Sequence, residues 1–181
     1  MDYKDSLKTQ IRDAFGKVVY SYACHWEHIN RLELKNSWLK NLEVVFTAIT
    51  ATGVISALVT SIRWLMIISA IFSAVSLAVT LVLKESNFEE QIIKHRKSAD
   101  DLWLLREEYI SLLTDFDQLG AEDIALKRDE LTKRASEIYS LALPTNSSDY
   151  AKAQKKLKEE EYQYFSDEEI DKMLPEHLRK K

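Results

Sequence analysis

The sequence predicts an all-α membrane protein: a two-span transmembrane helical hairpin with an N-terminal amphipathic helix before it and a cytoplasmic helical stalk and tail after it. Three observations carry this. From Val44 to Leu83 a run of forty residues holds one charge, Arg63, close to its midpoint. Apolar side chains on both flanks recur at the 3.6-residue spacing of a helix. Only three Gly and two Pro punctuate 181 residues, too few for a chain of short strands and turns.

Residues 1–43 form the first unit. Leu7, Ile11, Ala14, Phe15, Val18, Val19, Tyr22, Trp26, Ile29 and Leu32 make one apolar stripe, which Gly16 weakens without erasing. A stripe of that length needs a partner helix.

Residues 44–83 form the hairpin. Forty helical residues would reach about 60 Å, twice the roughly 30 Å core of a bilayer, so one straight span is excluded. Two helices of bilayer length follow, 44–62 and 64–83, with Arg63 at the tip. There it stays among headgroups, whereas at the centre of a span it would be expensive. A buried hairpin inside a soluble domain is the alternative, and so long a run without charge argues against it. Trp38 and Trp64 lie just outside the starts of the two spans, at opposite interfaces where indoles are favoured. Arg31, Lys35 and Lys40 precede the first span and Lys84, Lys94, Arg96 and Lys97 follow the second, so both termini are expected in the cytoplasm. Residues 1–40 lack the short apolar core of a cleaved signal.

Residues 84–181 form the stalk and tail. Phe88, Ile92, Ala99, Leu102, Trp103, Leu105, Tyr109, Leu112, Leu113 and Phe116 describe a helix expected to continue the second span without a break, with Leu102, Trp103, Tyr109, Leu112 and Phe116 as stalk-packing positions. Gly120 closes it, and a third soluble helix is expected over 121–143, stopped by Pro144. In the loop TNSSD, Ser148 or Asp149 would cap a helix over 150–164. Ser166 and Glu169 form a capping box for a last helix over 167–174, ended by Pro175, and 176–181 are expected to fray. The dense charge run KAQKKLKEEE (152–161) suits a solvated helix face.

Chemistry is sparse. With Cys24 alone there is no disulfide framework and no cysteine-based zinc set, which suits a reducing compartment. Cys24, His25 and His28 (CHWEH) offer potential ligands, two of them one helical turn apart, but no companion cluster completes a metal site, and His95 stands alone. No phosphate loop, nucleophile elbow or distinct carboxylate pair is visible, so neither an enzyme nor a cofactor is expected. Seven basic and six acidic residues precede the hairpin and 17 basic and 23 acidic follow it. No basic stripe results, and direct nucleic-acid binding is not expected.

The spans carry more. Ser69, Ser73, Ser76 and Thr80 fall on one side of the second helix, and Thr52, Ser56 and Thr60 on one side of the first, beside Gly53 and Ala57. Such stripes serve tight helix packing or line a water-filled path. Two helices cannot enclose a channel, so a pore would need a homo-oligomer, most simply a ring held by the stalks.

The hairpin, the stalk SADDLWLLREEYISLLTDF (98–116), EIYSLALPTNSSDYAKAQKKL (137–157) and FSDEEIDKMLPEHLR (165–179) together resemble the SLATT domain, the two-span effector domain associated with SMODS nucleotidyltransferases and SLOG modules, over about 5–178. The resemblance implies a pore-forming effector of a bacterial antiviral conflict system, in the inner membrane. A separate partner would trigger it: a sensor, a nucleotide-signal synthase, a SLOG protein or a reverse transcriptase. It supplies no catalytic residues. The alternative is a non-conducting, membrane-anchored helical protein that recruits a soluble partner.

Overall fold

The structure is a computed structural model that describes residues 2–60, 62–160 and 165–180. Every regular element among them is helical: α1 (Tyr3–Thr60), α2 (Arg63–Ser86), α3 (Phe88–Thr114), α4 (Ala121–Leu141), α5 (Ser147–Glu159) and α6 (Asp167–Met173), with single 3₁₀ turns at Phe116–Gln118 and Glu176–Leu178.

The amphipathic helix and the first span are one helix of 58 residues. The segment that joins them, ELKNSWLKNLE (33–43), has no Gly, Pro or β-branched residue to interrupt the backbone ladder. Helix α2 starts after Ile62, which is extended and whose carbonyl accepts from Leu65 N–H at 3.3 Å. Arg63 is the first residue of α2 and is exposed.

The return path differs from the expectation of an unbroken second helix. Asn87 stands in the left-handed region (φ 45°, ψ 41°) and separates α2 from α3. Asn tolerates that conformation because its short polar side chain bonds locally, and no Gly or Pro marks the place. Gln91 Nε2 donates to the Ser86 carbonyl at 2.7 Å and covers one of the groups the break leaves open.

The apolar windows of the two spans are long enough to cross a membrane, and only 6% of either is buried. A core helix of a soluble domain would be mostly covered. Val44, Ile55, Leu58, Val59, Ile67, Ile71, Leu77 and Leu81 all face outward at half exposure or more, a surface suited to lipid.

Outside the spans, α1 packs against α3, α4 and α5. The core joins Leu7, Ile11 and Val18 of α1 to Leu102, Leu105, Tyr109 and Leu112 of α3, closed by Phe116, Ile124 and Leu131. On α3, residues 88, 95, 102 and 109 are all buried at seven-residue intervals, a run that Phe116 of the following 3₁₀ turn continues, and on α1 so are 11, 18, 25 and 32. These are the facing seams of a heptad pattern.

Three tail boundaries need correction. Helix α4 ends at Leu141, since the residue before Pro144 is pushed out of the helical region. Neither Ser148 nor Asp149 caps α5: the cap is Asn146, which accepts from Asp149 N–H at 2.9 Å while Asp149 accepts from Asn146 N–H at 3.2 Å. The helix therefore starts at Ser147; its expected end at Tyr164 lies outside the described residues. The expected fraying after Pro175 is replaced by a 3₁₀ turn, tied back by Arg179 Nε to the Leu174 carbonyl at 2.9 Å and Lys180 N–H to Asp171 at 3.1 Å. The Ser166–Glu169 capping box is present as expected.

Candidate functional site

Two regions bring polar side chains together. The first is the seam of the hairpin. On α2, Leu65, Ser69, Phe72, Ser76, Val79 and Leu83 are its covered or half-covered positions, at alternating spacings of four and three. Opposite them on α1 lie Phe46, Thr50, Gly53 and Ala57.

At Gly53 the backbones come close enough that a Cβ would lie 2.1 Å from Ser69 Oγ. Ser69 is buried and turns its hydroxyl back to the Leu65 carbonyl at 2.9 Å. Ser76 shares a 3.0 Å hydrogen bond with Thr47 across the seam, and the Phe46 and Phe72 rings meet at 5.5 Å. Near the C-terminal end of α2, the Thr80 hydroxyl donates to the Glu43 carboxylate.

The hydroxyl stripes therefore divide. Ser69, Ser76 and Thr80 turn towards the other span of their own hairpin, with Ser56 half-buried beside Ala57. Ser73 is exposed on the outer face, as is Thr52, whose hydroxyl donates to the Ala48 carbonyl at 2.9 Å. The Thr60 side chain lies outside the described residues. Of the stalk positions, Leu102, Tyr109, Leu112 and Phe116 are buried. Trp103 is 40% exposed, its ring 5.3 Å from Tyr22 and 4.6 Å from the Arg106 guanidinium.

The second region sits outside the spans, where α1, α3 and α5 meet. His25 and His95 take positions in the two heptad runs that otherwise hold apolar residues, and both are buried. Their Nδ1 atoms are 2.8 Å apart. His28 stacks on His95 at 3.9 Å, and its Nδ1 donates to Asp149 Oδ2 at 2.7 Å. Arg31 completes the group with Nε on Oδ1 at 3.0 Å and NH2 on Oδ2 at 3.1 Å, a bidentate pair with a carboxylate that is 0% exposed. Beside it, Lys156 of α5 reaches the covered Glu27 of α1 at 2.7 Å, so one lysine of the charge run serves as a clamp.

The electrostatics follow from burial. Desolvation, then the charge on His28, pushes His25 and His95 down to about 4. Desolvation would raise the Asp149 carboxyl, but bonds from Arg31, the Asn146 N–H and His28 outweigh it and hold the group below its usual range. Burial, with Asp149 and Glu27 nearby, raises the Cys24 thiol to about 11 and leaves it protonated and unreactive. No group of three or more His, Cys, Asp or Glu among the described residues has the geometry to hold a metal ion.

The sequence offers Cys24, His25 and His28 as potential ligands, leaves His95 solitary and gives Asp149 only a capping role. The legible sign was heptad position: a histidine falls where Phe88, Leu102 and Tyr109, or Ile11, Val18 and Leu32, mark the buried seam. Nothing local says that Asp149, 121 residues after His28, completes the group.

The family model described as SMODS and SLOG-associating 2TM effector domain family 4 matches residues 7–169, which include both spans, the histidine cluster and the α6 capping box. No curated protein and no solved structure matches the chain.

Proposed function

As a member of the SMODS and SLOG-associating 2TM effector domain family 4, this chain is a two-transmembrane effector, and we propose that it acts by assembling with copies of itself and opening a pore. The observation that carries the proposal is the outer face of the hairpin. Once the seam has consumed Ser69, Ser76 and Gly53, further small and polar residues stay exposed among the larger apolar ones: Ala48 and Thr52 on α1, and Ala70, Ser73, Ala74 and Ala78 on α2.

Small residues let helices of neighbouring copies approach closely, and hydroxyls among them give water a foothold. Without charge inside the spans such a path is poorly ion-selective, and its apolar sections hold it closed by dewetting until a partner shifts the assembly. Both termini lie in the cytoplasm of a bacterial cell, under the inner membrane, where the partner acts on α3, α4 and α5. The family association supports a sensor, a nucleotide-signal synthase or a SLOG protein in that role, and a reverse transcriptase is a further candidate. Membrane permeabilisation on infection is the resulting function.

Dye release tests it. Liposomes carrying the chain and its activated partner leak on this account, and Ser73→Leu stops the leak without loss of the oligomer. An inserted oligomer that retains dye with its partner activated makes the hairpin an anchor for recruitment instead.

A further inference from the structure

A cleft of about 930 Å³ opens between the N-terminal half of α1, the end of α4 with its following loop, and the start of α5. Its size lies within the roughly 300–1,000 Å³ of small-molecule sites. Neither the spans nor the seam uses it.

Gly16 lies on its floor. This glycine sits inside a 58-residue helix, where it costs about 1 kcal/mol relative to alanine. A glycine is usually kept in such a place by a close neighbour. Here a Cβ would meet nothing within 4 Å, so no packing within the chain requires its absence. What the missing side chain preserves is the open space of the cleft.

The walls define what fits there. Tyr20 of α1 and Tyr150 of α5 stack at 5.7 Å and 23°, presenting ring faces and edges at one side. Tyr139 leans across from α4 with its hydroxyl 3.2 Å from Ser21 Oγ. Arg12 lines the opening and has no ion-pair partner among the described residues, while Lys17 beside it is paired with Asp13 at 2.6 Å. The cleft thus joins aromatic surface to an uncommitted guanidinium, and its inner end reaches Cys24 and His25.

We propose that this cleft binds a small planar anion, with the ring against the tyrosines and over Gly16 and the carboxylate or phosphate on Arg12. An occupant touches α1, α4 and α5 at once, next to the histidine cluster that joins α1, α3 and α5. Binding there draws α4 and α5 onto α1. The site does not depend on whether the hairpin conducts.

The test is calorimetric titration of the full chain in lipid nanodiscs with naphthyl phosphate, naphthol and inorganic phosphate as probes. The expected result is that naphthyl phosphate binds about tenfold or more tighter than either of the other two, one per chain. Gly16→Leu fills the floor, abolishes saturable binding and does not lower the unfolding temperature. Arg12→Glu weakens naphthyl phosphate about tenfold or more and leaves naphthol unchanged. The proposal is overturned if naphthyl phosphate binds no better than inorganic phosphate, or if Arg12→Glu and a folded Gly16→Leu bind it as the unmodified chain does.

Discussion

His25 and His95 face each other through Nδ1 atoms 2.8 Å apart, and a hydrogen bond between two imidazoles needs one N–H and one lone pair. A second proton would set two N–H groups against each other. In the unfolded chain each ring titrates near about 6.5, and in the fold both are pushed to about 4. Between those values the unfolded chain binds more protons, so stability is fully present above about pH 6.5 and is lost as pH falls towards 4. The loss is on the order of 3 kcal/mol for one imidazole, and less than double for the coupled pair. Asp149, held below its usual range, adds a loss in the same direction at still lower pH. Thermal unfolding between about pH 7.5 and about pH 5 should show the first loss, and His95→Gln should flatten it; an equal slope in that variant would remove the imidazole pair as its origin. Gly53 offers a second check. Gly53→Ala meets Ser69 Oγ, which can rotate away, whereas the larger Gly53→Leu side chain also crowds Ser69 Cβ, which cannot. The leucine variant should lose about 1–3 kcal/mol of hairpin stability, and Gly53→Ala with Ser69→Ala should regain the original cross-linking between cysteines placed at Thr47 and Ser76.

At the scale of elements, the two long helices break differently, and the reason lies in single residues. Helix α1 runs unbroken from the core outside the spans through the first span, while α2 and α3 are parted by Asn87 at φ 45°. Asn87→Gly should keep or raise stability, and Asn87→Val should cost about 1–2 kcal/mol because a β-branched side chain resists that conformation; circular dichroism melts in detergent measure both. A shared loss in the two variants would mean that the Asn side chain, not its backbone, matters. Likewise, Asn146→Ala removes the α5 cap for about 1 kcal/mol. Asp149→Ala also strands Arg31 and should cost about 3 kcal/mol or more. Helix identity was legible throughout, since the apolar stripes and the Ser166–Glu169 box are local signals. The break at Asn87 was not, because an asparagine marks a left-handed residue only weakly. Nor was the start of α5, where Asn146, Ser147, Ser148 and Asp149 all have capping side chains and only tertiary bonds from Arg31 and His28 select the register.

For the whole molecule, the family and the two outward-facing spans make the chain a two-transmembrane effector, and the proposed pore adds that its spans conduct in an assembly and that the helices outside the spans receive the trigger. The hairpin was legible from charge alone, since Arg63 leaves no other place for the chain to turn. Which hydroxyls face inward was not, because 3.6-residue spacing puts Ser69, Ser73, Ser76 and Thr80 on one broad side and only packing against Gly53 and Thr47 separates Ser73 from the rest. That separation gives the sharpest test: current through planar bilayers holding the oligomer together with its activated partner. The account predicts discrete conductance steps that Ser73→Leu removes while the oligomer stays intact. A correctly inserted oligomer that passes no current when its partner is activated contradicts it.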